Sequence, residues 1–176
     1  LASETSAIDS VGAHFLRDVK PGEIVIIDEN GLRSIEKHCG QKSHLCVFEF
    51  VYNARPDSVI EGTSVHLARQ KMGEFLAKDH PVEADLVMGV PDSGNDAALG
   101  YANASGIPYG TGLLKNKYIG RTFILNTQKQ RENAVRIKLN AIADAVRGKR
   151  IVLVDDSIVR GTTSMRIVKM LREAGA

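Results

Sequence analysis

The chain of 176 residues is 43% hydrophobic and 25% charged, with a formal net charge of +2, which fits one globular domain with a sizeable core and excludes disorder by composition. A balance this near neutral argues against nucleic-acid binding driven by a basic field, and no apolar run approaches the roughly 18 to 20 residues of a membrane span. Cys39 and Cys46 are the two cysteines, a pattern unlike a secreted disulfide scaffold, so a cytoplasmic setting is expected.

The chain starts at Leu1 without a methionine and stops at Ala176 just after a helical pattern, and it reads as a piece of something longer. Leu1 to Leu32 is loop-rich, with one strong strand at Glu23 to Asp28 and a turn at Glu29-Asn30-Gly31. A lone strand cannot bury itself, so its partners are expected upstream of the chain or on the following domain. Gly31 to His44 is polar and turn-like, and the domain boundary is placed within it. Leu45 to Tyr52 sets Phe48, Phe50 and Tyr52 on one side, which predicts a strand with an aromatic face turned to the core. Asn53 to Ser58 is a turn. Thr63 to Lys78 then reads as a helix capped by Thr63 or Ser64, with Val65, Ala68, Met72, Phe75 and Leu76 as its apolar face. His66, four residues before Gln70, falls on the solvated side.

The strand Asp85 to Val90 runs into Pro91-Asp92-Ser93-Gly94 and a small-residue helix from Asn95 to Asn103. Amides at a helix N-terminus lack partners inside the helix and suit an anion, although an ordinary Asp or Ser cap selects the same residues. A short strand near Ile107 to Tyr109 leads to Lys115–Ile124, cations and aromatics around a glycine without a period, hence a long loop or a solvated basic surface. Glu132 to Arg147 is expected as a helix with a stripe of Val135, Leu139, Ile142, Ala143 and Val146, with Lys138 solvated and Gly148 ending it.

After Arg150, the apolar strand Ile151 to Val154 ends in Asp155 and Asp156 and turns through Ser157 to Thr163 into a helix that Thr162 or Thr163 can cap. The turn is a phosphate cradle by its free amides. The acids, at the carboxyl end of a strand, face the crevice where open sheets bind ligands, and they suit sugar hydroxyls or Mg²⁺. Together they describe a sugar-phosphate site; the bland alternative is an acidic turn that only caps its helix. Neither a Walker loop nor a dinucleotide fingerprint is present. Alternating strands and helices predict an α/β fold with a doubly wound parallel sheet.

VLVDDSIVRGTT resembles the phosphoribosyl pyrophosphate (PRPP) signature of type I phosphoribosyltransferases, and its Ser157 to Thr163 ending is similar to that of amidophosphoribosyltransferases. CVFEFVYNARPDS resembles a segment that marks the latter family, KNKYIGRTFI its flexible catalytic loop, and SETSAIDSVGAHFLRDVKPGEIVII the closing stretch of its glutaminase domain. The resemblance implies residues 1–40 as the β-rich end of an N-terminal-nucleophile glutaminase domain and 41–176 as a type I phosphoribosyltransferase domain truncated at its C-terminus. It implies transfer of the phosphoribosyl group from PRPP to ammonia, drawn from glutamine in the full-length enzyme, as the entry step of purine synthesis. The glutaminase nucleophile is not among these residues. Lys115, Tyr118 and Arg121 are then expected at the pyrophosphate. Asp92, Ser93, Gly94, Asp155, Asp156, Ser157, Ile158, Val159, Arg160, Gly161, Thr162 and Thr163 are expected on PRPP, with Mg²⁺ on Ser93, Asp155 and Asp156. One branch of the family carries a 4Fe-4S cluster, and Cys46 matches one ligand position, the others lying beyond Ala176. A homo-oligomer is expected at full length, with neither nucleic acid nor membrane as partner. The alternatives are a PRPP-binding regulator and a base-salvage phosphoribosyltransferase.

Overall fold

The computed structural model describes residues 1–116 and 139–176. Tyr118, Arg121, Val135 and Lys138 lie outside them. The central element is a parallel pair, β5 (Leu86–Gly89) and β8 (Ile151–Val154), in register from Leu86 opposite Ile151 to Gly89 opposite Val154. The strand expected at Ile107 to Tyr109 is reduced to one parallel bridge, Val87 to Tyr109. Successive strand side chains face opposite ways, and two cores follow. Leu86, Met88 and Val90 pack with Val146, Ile167 and Leu171, supplied by α4 (Ala143–Val146) and α5 (Thr162–Glu173). Val87 and Val154 pack with Ala77, Ala98, Tyr101 and Ala102, from α2 (Val65–Asp79) and α3 (Gly94–Ser105). Helices on both faces of parallel strands make the fold doubly wound, as expected. Among the described residues no helix is long and apolar enough to cross a membrane.

Five expectations are corrected. The strand Glu23 to Asp28 is not alone: β1 (Ile24–Asp28) pairs antiparallel with β2 (Gly31–Ile35). Asn30 N–H donates to the Asp28 carboxylate at 2.9 Å, and Gly31 takes a φ of +102° that side chains resist, so the chain reverses within what reads as a polar turn. Leu45 to Tyr52 is not a strand but ends in a π-helical turn, Glu49–Asn53. Its carbonyls are claimed locally, by Ala54 N–H on Glu49 O at 3.0 Å and by Arg69 from α2 on Phe50 O and Ala54 O.

The capping of α2 by Ser64 holds, its hydroxyl accepting from Leu67 N at 3.3 Å, but the buried face does not. The buried row is Val65, Arg69, Gly73 and Ala77, while Phe75 remains 53% exposed and Met72 and Leu76 are also exposed. Close backbone approach decides this: a Cβ on Gly73 would lie 1.9 Å from Ala97 O, and one on Gly100 1.9 Å from Gln70 O. Only small residues fit where α2 crosses α3. His66, read as solvated, instead joins the two helices through Asp96 at 3.0 Å. Finally, Leu139–Ala141 is a strand, β7, paired antiparallel with β6 (Leu113–Lys115), because Leu139 belongs to the same core as Val146 and reaches it by pairing with β6.

The N-terminal segment is stitched to the rest across long sequence distance. From α1 (Thr5–Ser10) and the residue before it, Glu4 accepts from Ser58 Oγ and Arg55 N, each at 2.8 Å, and Thr5 Oγ accepts from Val59 N at 2.8 Å. Val59–Ile60 (β3) pairs with Thr63–Ser64 (β4) immediately before α2.

Candidate active site

Asp155 and Asp156 follow directly on β8, and the loop after β5 lies against them. Gly94 makes that approach possible, since a Cβ there would come within 2.6 Å of Val154 O. Asp156 is the node: Ser93 Oγ donates to its Oδ2 and Ser157 Oγ to its Oδ1, both at 2.5 Å. Asp156 N–H in turn donates to Asp155 Oδ1 at 2.9 Å. Burial pushes the Asp155 carboxyl above its ordinary range; the Asp156 N–H opposes this and the neighbouring negative charge adds to it. A carboxylate so placed gains from any cation or hydroxyl that reaches it.

The expected caps are corrected. Gly161, at a φ of +69°, is the N-cap of α5, with Thr162 and Thr163 in the helix's first turn and no side-chain cap. Ser93 also makes no capping bond to α3, its hydroxyl being committed to Asp156. The N-terminus of α5 therefore leaves amides for something else to meet, whereas at α3 Gly94 N and Asn95 N already donate to Val90 O and Asp92 O.

One cavity of about 810 Å³ gathers Ser93, Lys115, Asp155, Asp156, Ser157 and the stretch Val159 to Ser164. Ile158 stands outside it, 73% exposed. Asp92 and Lys115 form an ion pair of 2.5 Å beside a smaller cavity of about 170 Å³, and Lys115 lines both. Asp92 and Gly94 are not on the larger cavity's wall. Phe48 and Tyr52, expected in the core, line it instead, each about half exposed. The alternating aromatics signalled a shared side but not what that side faces.

Ser93, Asp155 and Asp156 offer oxygen donors, the hard ligand set of Mg²⁺, which commonly takes one or two carboxylates and completes its shell with water and phosphate. Among the described residues no three His, Cys, Asp or Glu side chains cluster as a metal cage. Cys46 is exposed and Cys39 is half-buried.

No protein-family model matches the chain. Over all 176 residues it is 57% identical to an amidophosphoribosyltransferase of Mycobacterium tuberculosis, 56% to one of Bacillus subtilis and 54% to one of Archaeoglobus fulgidus. The fold superposes with a TM-score of 0.88, at 56% identity over 99% of the chain, on a glutamine PRPP amidotransferase from B. subtilis complexed with ADP and GMP. The chain matches a segment of the amidophosphoribosyltransferase family. A second structure, described as the allosteric regulatory enzyme of purine biosynthesis, superposes equally well, with the chain covering 37% of it. The chain spans about a third of the length of these amidophosphoribosyltransferases, from 33% to 38%.

Proposed function

We propose that this chain carries the phosphoribosyl-transfer site of an amidophosphoribosyltransferase, moving the ribose 5-phosphate unit of PRPP to ammonia with release of pyrophosphate. The observation that carries this reading is the single cavity in which Asp155, Asp156, Ser93 and the uncapped turn before α5 meet. The relatives' names support it. Residues 41–176 are assigned to the transferase domain and 1–40 to the end of a glutaminase domain, whose nucleophile belongs to residues outside this chain.

Cleavage at C1 builds positive charge on the sugar and negative charge on the leaving group. The amides of Ser157 to Thr163 hold the 5-phosphate, and that remote binding positions C1. Asp155 and Asp156 accept the ribose hydroxyls and face the developing cation with charge already oriented. Lys115 leaves Asp92 to meet the pyrophosphate, with Tyr118 and Arg121 assigned beside it. Ser93, Asp155 and Asp156 would hold Mg²⁺, which when bound would supply positive charge toward the pyrophosphate. Ammonia is itself the nucleophile and asks for no base. Cys39 and Cys46 alone do not supply the four thiolates of a 4Fe-4S cluster, which in the full-length protein would take Cys46 together with ligands beyond Ala176.

The test is to supply PRPP, Mg²⁺ and ammonium to the chain and to the full-length protein and measure pyrophosphate release. Ammonium-dependent release is expected. Binding of PRPP without turnover in both would replace the enzyme with a PRPP-binding regulator.

A further inference from the structure

Arg69 is 3% exposed and stands in the row of α2 otherwise made of Val65, Gly73 and Ala77. Its Nε donates to Phe50 O at 2.7 Å and its Nη2 to Ala54 O at 2.8 Å. Both partners are neutral main-chain oxygens. A buried guanidinium held this way is costly compared with an apolar side chain in the same place, and packing of α2 alone does not call for it. The two carbonyls bracket the end of the turn Glu49–Asn53, and that turn, with Phe48 before it, puts Phe48 and Tyr52 on the wall of the acid-pair cavity. Arg69 and Val51 also line a second cavity of about 230 Å³, whose other walls include Ser93, Asp155 and Asp156. The charged fork thus links the aromatic turn to the ground behind the acids.

We infer that Arg69 is a positioning residue for the transfer reaction: it fixes the turn Glu49–Asn53 so that Phe48 and Tyr52 close one wall of the cavity around Asp155 and Asp156. The inference rests on the reading of that cavity as the transfer site. Arg69 is not on the wall of the larger cavity. Because the phosphate-binding turn lies on another element, losing Arg69 alters how the reacting centre is walled and leaves the phosphate grip intact.

The test uses the full-length protein, PRPP, Mg²⁺ and ammonium, with Arg69→Gln, Arg69→Lys, Tyr52→Ala and the Arg69→Gln/Tyr52→Ala pair. For Arg69→Gln, kcat falls by about tenfold or more while KM for PRPP stays within about threefold, a loss confined to the transition state. Arg69→Lys, which keeps the charge but not the fork, falls with it. The double variant is no worse than Arg69→Gln alone, because both changes remove one wall; residues acting independently give additive losses. Unchanged kcat in a folded Arg69 variant, or additive losses, overturns the proposal. Failure of both Arg69 variants to fold also overturns it, leaving a purely structural role. A wild-type protein without turnover sinks the reading of the site itself, which separates the two failures.

Discussion

The chain passes from strand to helix twice at the centre of its sheet. After β5 it uses four residues, Val90 to Ser93, and after β8 seven, Asp155 to Gly161. The short loop is pinned: Gly94 is buried against Val154 O and Ser93 is bonded to Asp156. The long one is open, with Val159 85% exposed and only Ser157 tied back to the acids. Neither helix has a side-chain cap, whereas α2, away from the turn, is capped by Ser64. The difference divides the work: the pinned loop fixes the acids' geometry, and under the proposed function the open one is left free to wrap a phosphate.

The hardest blow to this division falls on Asp156, which both loops use. Asp156→Asn and Asp155→Asn should each lower PRPP turnover at least tenfold, about 1.4 kcal/mol of barrier per factor of ten; steady-state pyrophosphate release checks it, and wild-type rates in both would undo the site. Next comes Gly94→Ala. Its methyl meets backbone rather than a yielding side chain, so a loss of about 1 to 3 kcal/mol in unfolding free energy is expected, read by denaturant titration, with no comparable loss for Gly161→Asn, since asparagine tolerates the left-handed region.

A subtler separation concerns stability against pH. The Asp155 carboxyl titrates above its ordinary value, so its contribution to stability is present below the unfolded-state value, where it is neutral, and is lost as pH rises through the raised one. Asp155→Asn should therefore melt higher than the wild type at neutral pH, the gap closing toward acid; parallel melting curves at every pH would contradict it. Away from the site Glu23 runs the other way. Paired with Arg17, its carboxyl is held down to about 2, so its contribution is present above the ordinary value near 4.5 and lost as pH falls through 2. Glu23→Gln should lower the stability of the β1–β2 hairpin above about pH 4.5, the gap to the wild type closing as pH falls toward 2; hydrogen exchange at Ile24 to Ile27 measures it.

The site half that is continuous in sequence was legible there. An apolar strand ending in two acids and a small hydroxylated turn permits few other structures, and β8, α5 and the β5 to α3 unit stand where the pattern puts them. What escaped depends on distant partners. Period-two aromatics do not say whether their carbonyls will meet a strand or an arginine nineteen residues on, so the turn at Glu49–Asn53 was read as β. The apolar stripe of α2 misled because the tightest contact is made by glycines, which carry no hydrophobic signal, and because Arg69 shares the buried row with Gly73. β7 was hidden within a helical pattern for a similar reason: Leu139 and Val146 share a core that either conformation can reach.

The glycine contact between α2 and α3 has a mechanical consequence. Helices that meet main chain to main chain, at Gly73 on Ala97 and Gly100 on Gln70, have no side-chain cushion between them that a rotamer change can compress, and close-packed interiors transmit displacement rather than absorb it. The bond from Arg69 carries the aromatic turn on one of these helices, and the other begins at the loop of Ser93. Displacing one helix would therefore carry the other, so a shift of the aromatic wall would also shift the hydroxyl that holds Asp156.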